Sequence, residues 1–195
     1  MAKIWKYNFD IARYTKDIEA NPRDYTAYKN RGNAYHKKRQ YDLAIADYTK
    51  AVELKPDFFL AYNNRGNVYQ QTGQYERAIE DYNKAIEVNP GNGMPYNNRG
   101  FTFLLLGKYA EAEHDLRKSL ALNPNNIYAL NSMAELYSAR NDAEEACKWL
   151  RKAVEKGYNN WNYLMTSETY INIRNSSCYK DILSGRLHYR DPRKK

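Results

Sequence analysis

Apolar and aromatic positions in this chain fall into two helical stripes separated by turns, and the arrangement returns at the constant step that separates Tyr28 from Tyr62. In residues 59–92, Ala61, Tyr62, Val68 and Tyr69 share one face of a helix predicted over 61–72. Gly73-Gln74 ends it, as a glycine past a helix terminus does. A second helix follows from Tyr75 to Val88, with Ala78, Ile79, Tyr82, Ala85 and Ile86 along one stripe. Asn89-Pro90-Gly91 stops it, because proline cannot continue a helix. Lys55-Pro56-Asp57 and Asn123-Pro124-Asn125 punctuate the chain in the same way.

Tyr28, Gly32, Tyr35, Ala44, Tyr48, Ala51 and Pro56 reappear one step later as Tyr62, Gly66, Tyr69, Ala78, Tyr82, Ala85 and Pro90. A third copy reads Tyr96, Gly100, Phe103, Ala112, Leu116, Ser119 and Pro124. The fourth is weaker, with Leu130, Ala134, Tyr137, Ala146, Leu150 and Ala153 and no closing proline. A period of this length, about 34 residues, indicates units that bury their apolar faces against their neighbours. The expected class is therefore all-α, a superhelical solenoid of helix–turn–helix repeats. Four repeats are expected at 25–58, 59–92, 93–126 and 127–160.

The flanks read as caps. Residues 1–24 hold a half-repeat helix, since Tyr14 and Pro22 precede Tyr48 and Pro56 by one repeat length. Residues 161–185 remain apolar but out of register, and are expected to form degenerate capping helices. The basic stretch 186–195 is expected to be a disordered tail.

The pattern over residues 25–160 resembles the tetratricopeptide repeat (TPR) family, and the closing segment resembles that of bacterial members. The resemblance implies a right-handed α-α superhelical solenoid acting as a protein-binding module, with the first helix of each repeat lining a concave groove. Three arginines, Arg31, Arg65 and Arg99, stand where the family has leucine. Each is followed at one fixed spacing by an aspartate, Asp47, Asp81 and Asp115, and repeat four replaces both partners at once with Met133 and Trp149. This exchange of a charged pair for an apolar one predicts that the two positions face each other within a repeat, in an arginine–carboxylate bond.

Charge alters the picture little. The net +8 first suggests nucleic acid, but the excess lies at the ends. Residues 25–58 hold seven basic against four acidic side chains and 161–195 seven against three, while 59–92, 93–126 and 127–160 are close to balance. A nucleic-acid solenoid carries a basic stripe through every repeat, so nucleic acid is not the expected partner. Two cysteines, Cys147 and Cys178, are too few and scattered for a disulfide framework or a metal site, and Cys147 reads as a small buried hydrophobe. No stretch reaches the length of a membrane span and none reads as a secretory signal, so a cytoplasmic protein is expected.

No catalytic constellation, cofactor motif or metal-ligand spacing appears around His36, His114 or His188, and an enzyme is not expected. The polar candidates lie on the first helices. Asn30, Asn64 and Asn98 repeat in one column, Asn63, Asn97 and Asn131 in a second, and Asn33 and Asn67 in a third. Asparagine is a middling helix former, and its amide matches a peptide group in both directions. With Lys29 these residues form a candidate ladder for an extended peptide or helix of a partner protein. The same amides could instead brace neighbouring repeats.

Compared with the carboxylate-clamp members of the family, Lys29, Asn33 and Asn64 match, while Met94 and Asn98 stand where two cations belong. Phe101, Leu104 and Leu105 would favour an apolar stretch of ligand or pack against the capping helices. The sequence leaves two other readings open. One is self-association through the end surfaces. The other is binding of RNA or an anionic surface through Lys37, Lys38, Arg39 and the tail residues Arg186, Arg190, Arg193, Lys194 and Lys195.

Overall fold

The computed structural model describes residues 2–188, and all regular elements among them are helical. Helices α1 (Ala2–Ala20), α2 (Tyr25–Lys37), α3 (Tyr41–Leu54), α4 (Phe59–Gln71), α5 (Tyr75–Val88) and α6 (Gly93–Leu105) come first. They are followed by α7 (Tyr109–Leu122), α8 (Ile127–Ala139), α9 (Ala143–Glu155), α10 (Trp161–Thr166), a short 3-10 turn at Glu168–Tyr170 and α11 (Ser177–His188). The chain forms two compact units, Met1–Thr102 and Phe103–Lys195, with the border inside α6.

In the first unit α2 packs on α3 and α4 on α5, while α1 and α3 pack on the helices that follow them. Asp24 starts α2 by accepting from the backbone N–H groups of Thr26 and Ala27, two of the orphan donors of a helix N-terminus. The small residues act where the sequence places them. A Cβ added at Gly32 would lie 2.9 Å from Tyr48 Cε1, and one at Gly66 only 2.7 Å from Tyr82 Cε1. Tyr48 and Tyr82 are fully buried, so these glycines let two helices close over a tyrosine ring. Tyr48 also joins Ala44 and Val68 in one cluster, which binds the first pair to the next.

In the second unit α7 packs on α8, α8 on α9, and α9 on α11. Leu130, Ala146, Leu150, Leu164, Tyr170, Ile173 and Tyr179 share its core. The segment after residue 160 corrects one expectation. Its small residues lose the pattern, but its elements keep register: α10 starts one repeat length after α8, and α11 one repeat length after α9. Glu168 occupies the step held by Gly32, Gly66, Gly100 and Ala134. A long side chain cannot enter that close contact, and the first helix ends just before it, at Thr166. Beyond Gly185, where a disordered tail is expected, α11 runs on to His188; Arg190, Arg193, Lys194 and Lys195 lie outside the described residues.

The cysteines correct a second expectation. Cys147 on α9 and Cys178 on α11 form a disulfide, with their Cα atoms 6.1 Å apart. Cys147 is buried as expected, but as half of a covalent clasp on the closing segment. The two residues fall in different repeats and 31 positions apart, a spacing that by itself signals no pairing.

A buried carboxylate joins the same segment to α8. Glu135 is 1 % exposed, accepts from Thr169 Oγ1 at 2.7 Å and Asn131 Nδ2 at 2.9 Å, and also accepts from the Tyr163 hydroxyl. Burial pushes its carboxyl up to about 7, against the pull of those three donors. The folded protein therefore holds a proton that the unfolded chain releases near its ordinary value of 4.5, and stability falls as pH rises from there through about 7. Chemical denaturation of the unit containing Glu135 should show a loss on the order of 3 kcal/mol between pH 4.5 and pH 8 that Glu135→Gln removes. An identical pH profile in Glu135→Gln would contradict this.

Candidate functional site

The expected arginine–aspartate bonds form in both repeats that lie wholly within the first unit. Arg31 Nε and Nη2 each lie 2.8 Å from Asp47 oxygens, and Arg65 meets Asp81 at 2.8 and 2.7 Å. The bond to Asp47 holds the Arg31 guanidinium above its usual value. Arg99 and Asp115 fall on either side of the border between the units.

The third arm of each guanidinium makes a further bond. Arg31 Nη1 donates to Thr15 Oγ1, Arg65 Nη1 to Thr49 Oγ1 and Arg99 Nη1 to Asn83 Oδ1, at 3.2, 2.9 and 2.6 Å. Each arginine thus reaches back to the preceding second helix. The constant spacing of Thr15, Thr49 and Asn83 carries that signal, but short polar residues on a helix read as solvated surface.

These pairs hold the first helices in place, and the asparagines line up along them. Asn33 Oδ1 accepts from the Tyr48 hydroxyl at 2.7 Å and from Asn64 Nδ2 at 2.9 Å. One repeat on, Asn67 Oδ1 accepts from the Tyr82 hydroxyl and from Asn98 Nδ2, both at 2.9 Å. Asn98 Nδ2 also lies 3.0 Å from Asn63 Oδ1. Gln70 extends the row by donating to Thr102 Oγ1 at 2.7 Å. The amides therefore link successive first helices, and each oxygen of the third column is fixed by a buried tyrosine. Neither tyrosine hydroxyl is identifiable as an anchor from the repeat pattern, which accounts for the rings alone.

The candidate residues separate by exposure. Asn63, Asn97 and Asn131 are 0, 8 and 5 % exposed. Asn131 is enclosed by Glu135 and by the Tyr170 hydroxyl, which donates to its Oδ1 at 2.9 Å. These three are buried and offer a ligand little surface; Asn63 and Asn131 are bonded within the fold, and Asn97 donates to Asn98. Leu104 is likewise buried, while Leu105 is exposed and Phe101 half-buried. Lys29, Asn30, Asn33, Asn64, Asn67 and Asn98 are half-exposed. Lys29 Nζ donates to Asn30 Oδ1 at 2.6 Å, and burial lowers the Lys29 ammonium from its usual value. Among the described residues no hydrogen bond takes up the Asn30 amide hydrogens.

Among the described residues, no group of histidine, cysteine and acidic side chains could hold a metal, and no helix is long and apolar enough to cross a membrane.

Sequence models of the tetratricopeptide repeat match residues 59–92, 95–126 and 116–148, and a further TPR-repeat model matches residues 32–73. The chain belongs to the TPR family. The TPR fold is a protein–protein interaction scaffold, and members are typically non-catalytic. No curated protein sequence matches the chain.

Among solved structures, TTC0263, a thermophilic TPR protein of Thermus thermophilus, aligns with a TM-score of 0.71 at 20 % identity, over 93 % of this chain and 91 % of its own. MamA aligns at 25 % identity with a TM-score of 0.65, over 75 % of this chain and 85 % of its own. The first TPR of Spaghetti (RPAP3), solved bound to the HSP90 peptide SRMEEVD, shares 32 % identity over 60 % of this chain and 92 % of its own, with a TM-score of 0.57.

Proposed function

We propose that this TPR protein is a non-enzymatic scaffold that holds an extended segment or helix of a partner protein along its first helices α2 and α4. The observation that carries this reading is the half-exposed row of Lys29, Asn30, Asn33 and Asn67, in which buried tyrosines and neighbouring amides hold Asn33 and Asn67 from behind. Polar groups fixed before a ligand arrives lose little freedom on binding it. Lys29, Asn30, Asn33 and Asn67 serve as contacts, with Asn64 and Asn98 as both contact and brace. The peptide bound by the first TPR of RPAP3 supports a peptide ligand, although Met94 and Asn98 here lack the two cations of a carboxylate clamp. The Cys147–Cys178 bond supports an oxidising compartment as the place of action, in place of the reducing cytosol.

The structure also selects the variant that tests this. Asn64 and Asn98 hold adjacent helices together, so alanine there mixes binding with stability. Lys29 and Asn30 bond chiefly to each other. Lys29→Ala/Asn30→Ala should change stability by less than about 1 kcal/mol and weaken partner binding by about tenfold or more. The readout is affinity capture followed by titration of the captured protein. A partner held equally by the variant and the wild type would reject the groove.

A further inference from the structure

Helices α2, α4 and α6 contain no aspartate or glutamate, while α3, α5 and α7 each open with one in the first turn. Arg31 and Arg65 on these helices are paired with Asp47 and Asp81, which leaves Lys29 and Lys37 of α2 as the lysines without a carboxylate partner among the described residues. Where α2 ends, an open cleft of about 510 Å³ is lined by His36, Lys37, Arg39, Tyr41 and Gln71. Among the described residues no acidic side chain lines it. His36 Nε2 lies 2.9 Å from Gln71 Oε1, which ties the α2 wall to the α4 wall.

Arg39 adds a second, independent observation. Its φ is 59°, in the left-handed region, where the same step of the next repeats holds Gly73 at 76°, Gly107 at 72° and Asn141, a residue that tolerates it, at 61°. An L side chain is disfavoured there and glycine is not. This repeat thus keeps a cation in a conformation its neighbours assign to glycine, at the wall of a cleft without acids. Strain held at such a position points to use.

We infer that the cleft takes carboxylate side chains of the partner segment, so that the ligand of the groove is an acidic stretch of protein. The inference rests on the groove reading for the ligand being a protein segment. Lys29 and Lys37 are two turns apart on α2, about 12 Å along the axis. An extended chain covers that distance in about four residues, which gives the expected spacing between two acidic positions of the ligand.

The test uses fluorescein-labelled ten-residue peptides, one with paired glutamates four residues apart and one with glutamines in their place, read by anisotropy at low and moderate salt. Wild type should bind the glutamate peptide at least about tenfold more tightly, with a preference that shrinks as salt rises. Lys37→Gln/Arg39→Gly should lose that preference while its melting temperature stays at or above wild type, because glycine relieves the strain at position 39. A preference retained in this variant, or a wild type that fails to favour the glutamate peptide, would overturn the inference. A preference lost in Lys29→Ala/Asn30→Ala but kept in Lys37→Gln/Arg39→Gly would overturn the cleft and leave the groove reading standing.

Discussion

Arg65→Ala should destabilise the first unit by about 3 kcal/mol. The substitution removes two bonds to Asp81, at 2.8 and 2.7 Å, and one to Thr49 at 2.9 Å. It leaves the Asp81 carboxylate, whose side chain is 7 % exposed, without its counter-charge. Desolvation already acts to raise the Asp81 carboxyl with Arg65 in place. The pair as a whole adds far less than the cost of breaking it, because both charges left water to form it. Arg65→Met/Asp81→Leu should therefore recover to within about 1 kcal/mol of wild type. The fourth repeat has made a comparable exchange, with a fully buried Met133 and a half-buried Trp149 at the corresponding steps. Urea denaturation of the three proteins checks this. A loss below about 0.5 kcal/mol in Arg65→Ala would show that the arginine is a surface residue.

Reduction of the Cys147–Cys178 bond should lower the stability of the second unit by about 3–4 kcal/mol. The disulfide closes a loop of 31 positions between α9 and α11, and cutting it restores that freedom to the unfolded chain. The effect is large because the closing segment has lost the small residues that dock the earlier repeats. Its other ties include Leu164, Tyr170, Ile173 and Tyr179 in the core, the bonds to Glu135 and Asn131, and the Asn172 amide donating to the Ser138 carbonyl. Denaturation with and without a reducing agent, beside Cys147→Ser/Cys178→Ser, measures the term. The reductant should shift the wild type alone. Two thiols titrating in the unreduced, unfolded protein would contradict the bond.

The fold was legible because its determinants repeat. Gly32 and Gly66 recur at a fixed step, each facing a tyrosine of the following helix, and a clash of 2.9 or 2.7 Å with a Cβ leaves little choice of residue. The arginine–aspartate pairing was legible for a related reason, since repeat four changes both partners together. The disulfide was not, because Cys147 stands where isoleucine occurs earlier and so passes for ordinary core. The register of the closing segment was also hidden. It survives in helix starts, while the small residues that report it earlier are gone, with Glu168 after Ala134 and Lys180 after Ala146.

At the candidate site the sequence located the polar rows but could not assign their direction. An amide one position along a helix turns from groove to core, which is why Asn64 is half-exposed and Asn63 fully buried. The role of Arg39 depends on a backbone angle, and composition marks it only as one of several cations.

The most direct test of the groove reading places a photo-crosslinking amino acid at position 29 on α2 and, separately, at position 43 on α3, where Leu43 is 48 % exposed. Each is irradiated with the partner captured by wild type. A partner lying along the first helices should crosslink from position 29 and not from position 43. Crosslinking from position 43 alone would place the partner on the second helices and contradict the groove.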